Sequence, residues 1–306
     1  MKKTFLGLKA IYFYVLIGLL LIGIIVGSFL DQSISASFYN KDSGYGAFFE
    51  TIGLGLGYGM GPIAGVVCLF GLIHREKWWQ KALGFFLFLL GYLAPAYVFG
   101  RSLVDKPTHY GILFSTPLAY ILGFTIMALF AILTFLILDK RVEKQDTLLF
   151  VGLALTIAML GQTAFIYVVK YLGGRPRWRY VNDPAINTTG DVFRAWWQMQ
   201  PFKVNGDYLK SWPSGHSAVS AVTLTLGLLP LVSKRRFKFD QDILLLLGFA
   251  YMVFTMVARI RYGAHYLTDV CFGALFSVLI CLGGCIYMET YMRKYVYSKP
   301  TESSQA

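Results

Sequence analysis

Eight apolar stretches, each near the ~20 residues that cross a bilayer, leave this chain few folds to choose from. They run over about 10–29, 52–73, 82–100, 115–138, 148–169, 217–233, 243–258 and 268–288, with boundaries good to roughly 2–4 residues. The expected fold is all-α, a polytopic integral membrane bundle of about eight transmembrane helices. Composition agrees: 56% of the residues are hydrophobic and only 14% charged, against about 25% charged in a soluble domain. With 17% aromatic residues, intrinsic disorder is excluded as well. The first stretch follows a basic start (Lys2, Lys3, Lys9) but has no small-residue cleavage site, so it is expected to be a retained anchor.

The net charge of +12, from 28 Lys and Arg against 16 Asp and Glu, would suggest nucleic acid in a soluble protein. In a membrane protein the position of the charges decides. Sixteen of the 28 fall in alternate connections: Lys2, Lys3 and Lys9; Arg75, Lys77 and Lys81; Lys140, Arg141 and Lys144; Lys234, Arg235, Arg236 and Lys238; Arg293, Lys294 and Lys299. The positive-inside rule makes these connections, and so both termini, cytoplasmic. All six Trp fall in loops or at span boundaries, as interfacial aromatics do. The expected partners are the lipid bilayer and an anionic lipid, with no nucleic acid, and the expected location is the plasma membrane.

Other features read as packing. The four Cys (Cys68, Cys271, Cys281, Cys285) lie inside spans with no CxxC spacing, so neither a disulfide nor zinc is expected. Residues 53–65 contain Gly53, Gly57, Gly61 and Gly65 at GxxxG spacing. No strand precedes them for a dinucleotide loop and no pore helix leads into Gly57-Tyr58-Gly59, so they are expected to let two membrane helices approach closely. Asn187-Thr188-Thr189 fits a glycosylation sequon, a match common by chance.

One connection is out of proportion. Residues 171–216 form a long external loop rich in Arg, Trp, Tyr, Asn and Gly, and loops of this length are functional or disordered. Three polar clusters gather on its side. The first, Lys170 to Arg179, could be an interfacial collar, but on a side where basic residues are disfavoured. The second, Trp212-Pro213-Ser214-Gly215-His216, could be a plain helix cap, yet a helix N-terminus also attracts anions. The third runs from Arg259 through Arg261 and His265 to Asp269. His265 and Asp269 are four apart, so on a helix they share a face and the carboxylate can orient the imidazole. Together the clusters supply fixed cations, two His and one Asp. That inventory suits metal-free phosphoryl transfer, in which cations neutralise phosphate oxygens, one His attacks and the other protonates the leaving oxygen.

At these residues the chain resembles the type 2 phosphatidic acid phosphatase (PAP2) superfamily of lipid phosphate phosphatases, related to vanadium haloperoxidases and bacterial acid phosphatases. The family pattern is K-x6-R-P, P-S-G-H and S-R-x5-H-x3-D. Here Lys170 precedes Arg177 by the right interval, Pro213-Ser214-Gly215-His216 is complete, and Arg259, His265 and Asp269 keep the third spacing. Trp178 replaces the Pro of the first motif and Ala258 the Ser of the third. The resemblance covers about residues 165–290, and the family core has six spans against the eight read here.

The resemblance implies that His265 is the nucleophile and forms a phosphohistidine. It implies that Asp269 holds the other imidazole nitrogen and that His216 is general acid and then base. Lys170, Arg177, Ser214, Gly215 and Arg259 would bind the phosphate, with no metal and no cofactor. Arg175, Arg179 and Arg261, outside the pattern, are expected at the rim to attract headgroups. The expected organisation is N-terminal spans over 1–145, a catalytic core over 146–290 with an extracytoplasmic site, and a cytoplasmic tail over 291–306. The expected activity is hydrolysis of membrane lipid phosphate monoesters or pyrophosphates, of the phosphatidic acid, phosphatidylglycerol phosphate or undecaprenyl pyrophosphate class. Trp196, Trp197 and Arg194 would contribute to the choice among them. A phosphotransferase using the same intermediate and a non-catalytic lipid-phosphate binder or transporter are the alternatives.

Overall fold

The apolar runs become helices, and most helices outlast their runs. A computed structural model describes residues 4–295 apart from 6–7, 105–114, 186, 188–189, 199, 201–205 and 235–239. Lys2, Lys3, Lys106, His109, Lys203, Arg235, Arg236, Lys238, most of the sequon and the tail beyond 295 lie outside the described residues. Among the described residues, ten α-helices follow a short hairpin (β1, Thr4–Phe5; β2, Leu8–Lys9): α1 Ala10–Phe38, α2 Gly44–Glu50, α3 Gly55–Leu72, α4 Trp78–Val104, α5 Thr116–Ile137, α6 Gln145–Gly173, α7 Trp178–Val181, α8 Gly215–Ala221, α9 Gln241–Arg261 and α10 Leu267–Tyr295. Seven of them are long and apolar enough to cross a membrane, α3 together with the 3-10 turn Ile52–Leu54 before it. The chain is an all-α integral membrane protein.

The sixth expected span, 217–233, has a different form. After seven α-helical residues, α8 continues as ten residues of 3-10 helix, Val222–Leu231. The hydroxyls of Ser220, Thr223 and Thr225 donate to carbonyls three residues back, which favours the tighter winding. At rises of about 1.5 and 2.0 Å per residue the whole segment is about 30 Å long, close to the thickness of the hydrocarbon layer. The first span was also underestimated. α1 runs nine residues past 29 because Asp31 and Ser35, though polar, stay on its buried face.

Packing is tight where side chains are small. In the glycine-spaced stretch of α3, a Cβ on Gly61 would lie 2.7 Å from the carbonyl oxygen of Gly91 in α4, so the two backbones touch there. α10 packs against α6, α1 and α8, while α3 packs against α4 and α6.

The contacts sort the helix termini into two ends. At one end Lys9 pairs with Asp242 at the start of α9, and Arg75 after α3 pairs with Asp146 at the start of α6. Lys234 donates to the Leu136 carbonyl near the end of α5. At the other end lie the end of α1, α2, the end of α6, the start of α8, the end of α9 and the start of α10. All three motifs are there.

Candidate active site

Local turns bring the motifs together. Lys170 is in the last turn of α6, which Gly174 ends in the left-handed region (φ 59°). A Cβ at Gly174 would lie 2.3 Å from the Gln200 carbonyl oxygen, so glycine is required on two counts. Ser214 caps α8, its Oγ accepting from the Ser217 N–H at 3.3 Å. Its own N–H donates to the Asp269 carbonyl (3.0 Å). The backbone of α10 presses on this turn so closely that a Cβ on Gly273 would sit 2.2 Å from the Ser214 carbonyl oxygen. The N–H of His265 donates to the Arg259 carbonyl (3.3 Å). Ser214 and Asp269, distant along the chain, thus become neighbours through a backbone contact.

The imidazoles of His216 and His265 are neighbours, with ring centroids 6.3 Å apart and planes tilted by 52°. His265 is 1% exposed. Its Nδ1 lies 2.6 Å from the Ser211 carbonyl oxygen. A carbonyl only accepts, so Nδ1 carries the proton and Nε2 keeps its lone pair. Nε2 is buried and has no partner among the described residues. The buried atoms that share that condition include three arginine donors: Nη1 of Arg177, and Nε and Nη2 of Arg259. Orphaned donors of this kind demand an explanation, and an absent anion supplies one. The remaining donors of these arginines are held: Arg259 Nη1 by Glu50, Arg177 Nε and Nη2 by the carbonyl and carboxylate of Asp207, both at 3.0 Å. Lys170 Nζ donates to the Lys210 carbonyl (3.3 Å) beside Gly215.

Electrostatics follow from this crowding. His265 is held well below the ordinary imidazole pKa, first by burial and then by Arg259, Arg177, Lys170 and His216. It is therefore neutral at pH 7. Burial brings Arg177 down to about 10, which still leaves it charged.

Three expectations are corrected. Asp269 does not hold His265 directly: its Oδ2 is 3.9 Å from Nδ1, too far for a hydrogen bond. His265 precedes α10, which starts at Leu267, so the four-residue helical spacing does not apply to the pair. Asp269 instead accepts from Arg175 Nη1 (2.6 Å), Ser211 Oγ (2.5 Å) and the Tyr266 N–H (2.9 Å). Arg175 is not at the rim. It is fully buried, between Asp269 and Asp31 of α1, because two carboxylates at a helix-bundle end need a cation between them. Arg179 and Arg261 are half-buried, bonded to Glu50 (3.5 Å) and Ser43 (3.2 Å). The described part of the long loop is likewise folded: the Arg194 carbonyl accepts from Arg175, and Trp196 donates to Ser28 and packs on Phe272.

A family model for the PAP2 superfamily matches residues 147–293, the stretch that carries all three motifs. This part of the chain belongs to the PAP2 superfamily. No curated protein and no solved structure matches the chain. PAP2 proteins act on phosphate esters as phosphatases or phosphotransferases. The residues before the PAP2 segment complete its site, since Asp31 and Glu50 hold Arg175 and Arg259. They were missed in the sequence, although an acidic residue at the mouth of an apolar span is a signal of a buried partner.

The preceding residues also wall a cavity of about 420 Å³ that leads away from His216. α3 contributes Gly61 and Gly65, α4 Leu87 and Leu90, α6 Met159 and Ile166. Its polar end is formed by Lys170, Lys210, Gly215 and His216.

Proposed function

We propose that this PAP2 protein is a membrane phosphatase that releases phosphate from lipid phosphate monoesters or pyrophosphates through a phosphohistidine. The observation that carries the reading is the buried, unpartnered Nε2 of neutral His265 among Arg259, Arg177 and Lys170. A neutral imidazole with its lone pair exposed to a cationic pocket is an activated nucleophile beside an oxyanion clamp.

In the first step Nε2 of His265 attacks phosphorus and the bond to the leaving oxygen breaks. His216 donates the proton that this oxygen takes up. In the second step His216 accepts a proton from water, the water oxygen attacks phosphorus, and the P–N bond breaks to restore His265 and free phosphate. The unsatisfied donors of Arg177 and Arg259, with Lys170 and the Gly215 N–H, bind the phosphoryl oxygens. The Ser214 hydroxyl acts mainly as the cap that orients this turn. Asp269 works through Ser211 and Arg175. No metal takes part.

The cavity favours a lipid. It is lined by apolar helix faces, ends at His216 and Lys170, and matches the size of ordinary ligand pockets. A chain lying in it places its headgroup oxygen beside the general acid. The alternating basic connections favour an extracytoplasmic site, with the opposite end of the bundle in the cytoplasm.

The test is phosphate release by purified protein in detergent from a panel of phosphatidic acid, phosphatidylglycerol phosphate and undecaprenyl pyrophosphate, with and without a chelator. At least one substrate should yield inorganic phosphate, and His265→Ala should abolish release and the trapped phosphoenzyme while leaving the thermal midpoint in place. Phosphate recovered only on an alcohol acceptor would make the protein a phosphotransferase. Full activity in His265→Ala, or loss of activity with chelator, would overturn the mechanism.

A further inference from the structure

The bundle end holds a buried charge cluster that the motifs do not contain. Asp31 of α1 is 4% exposed. Its Oδ1 accepts from the Thr268 N–H (3.0 Å), and its Oδ2 accepts from the Thr268 hydroxyl and from Arg175 Nη2 (2.8 Å). Arg175 Nη1 donates both to Thr268 Oγ1 (2.8 Å) and to Asp269 Oδ1 (2.6 Å). Ser211 then links the cluster to the nucleophile: its hydroxyl donates to Asp269 and its carbonyl accepts from His265 Nδ1. A continuous set of hydrogen bonds thus runs from α1 to the reacting imidazole.

Two features separate this cluster from an ordinary structural salt bridge. First, it contains two carboxylates and one guanidinium, all essentially without exposure. An excess buried anion costs stability unless something offsets it. The cations that act on His265 (Arg259, Arg177 and Lys170) lie beyond Ser211 along the same chain of contacts. Second, Asp31 binds the first turn of α10 from outside that helix, where an anion meets the free N–H groups and the positive end of the dipole. Asp31 therefore fixes both the cation that holds Asp269 and the helix that carries it.

We propose that Asp31 is a positioning residue for the reaction, acting through Arg175, Thr268 and Asp269 on the Ser211 carbonyl that holds His265. This rests on the phosphohistidine reading. When Nε2 attacks phosphorus the ring acquires positive charge, and Nδ1–H becomes a stronger donor to Ser211. A carbonyl held in place by Asp269, with an excess of negative charge behind it, stabilises that state more than the resting one. Loss of the Asp31 charge should act on the transition state and spare ground-state phosphate binding, which belongs to Lys170, Arg177 and Arg259.

The experiment compares wild type, Asp31→Asn and Thr268→Val, purified in detergent. Asp31→Asn is isosteric and leaves Arg175 and Asp269 balanced, but its amide NH2 faces a donor that the carboxylate accepted from, so a fall of a few degrees in the thermal midpoint is expected with the fold retained. kcat should fall about 10–100-fold, the scale seen when the outer hydrogen-bond partners of metal ligands are lost, with KM unchanged. Affinity for orthovanadate, a mimic of the phosphoryl transition state, should fall in parallel, while affinity for inorganic phosphate should not. Thr268→Val, which removes one bridging hydroxyl, should show the same pattern to a smaller degree and serves if Asp31→Asn does not fold. Unchanged kcat and vanadate affinity in both variants would overturn the proposal. So would equal losses of vanadate and phosphate binding, since these would mark a collapsed site. If wild type binds vanadate but releases no phosphate from any lipid, the phosphatase reading fails, and the vanadate-to-phosphate comparison still decides the role of Asp31.

Discussion

The two ends of the helix bundle use charge in opposite ways. At one end, Lys9–Asp242, Arg75–Asp146 and Arg141–Asp139 are pairs in which at least one side chain is well exposed. At the other end Arg175, Arg259, Asp269, Asp31 and Glu50 are almost wholly buried, and some of their polar atoms have no partner. Exposed pairs contribute little to stability because water already solvates both partners. Buried charges are costly unless paired, so they persist where they do chemistry or where their partners are fixed. The difference separates a set of charges that water solvates from a set that the fold buries and pairs.

Several experiments can break that comparison. Glu50→Gln should have the largest effect on the fold, because it leaves the fully buried Arg259 without its anion. A loss of about 3–5 kcal/mol is expected, measured by thermal or denaturant unfolding in detergent. Stability close to wild type would show that the site end tolerates bare charge.

Arg259→Lys keeps the charge but removes the two unsatisfied donors presented by the guanidinium. kcat should fall about 10²–10³-fold, as for loss of one oxyanion donor. A change confined to KM would place Arg259 in ground-state binding only.

The pH dependence tests the cationic ring. Because His265 is held below the ordinary imidazole value of about 6.5, its neutral form persists on the acid side of that value. The acid limb of kcat/KM attributable to His265 should therefore lie below pH 6.5. Lys170→Met removes one of the depressing charges, so this limb should move to higher pH; a shift to lower pH would contradict the assignment. The same depression has a stability consequence. The unfolded chain binds the proton more readily than the folded one, so this contribution is complete above about pH 6.5 and is lost as pH falls below it.

The smallest effect belongs to the basic end. Asp146→Asn breaks an exposed pair with Arg75 and should cost about 0–1 kcal/mol with no change in kcat. An effect as large as that of Glu50→Gln would erase the distinction between the ends.

How much was legible varied with the range of the interaction. Lys170, Arg177, Ser214, His216, Arg259 and His265 could be picked out because each motif is a local word in one loop or helix end. Asp31 and Glu50 carry at most the signal of an acid near an apolar span, and nothing along the chain names their partners, because Arg175 and Arg259 lie 144 and 209 positions away. The group that holds His265 was harder still. It is the main-chain carbonyl of Ser211, and every residue has one.

What the amino-acid sequence determined by itself was the environment and the chemical inventory. Apolar runs of bilayer length dictate helices across a membrane, alternating basic connections suggest their direction, and two histidines among spaced cations point to phosphoryl transfer. What only the tertiary structure decided was the pairing. Which nitrogen of His265 is free, which carboxylate holds which arginine, and whether Arg175 faces lipid headgroups or a buried pair depend on how α1, α2 and α10 pack. Hydropathy and spacing act along the chain, whereas hydrogen-bond partners and desolvation are set across it.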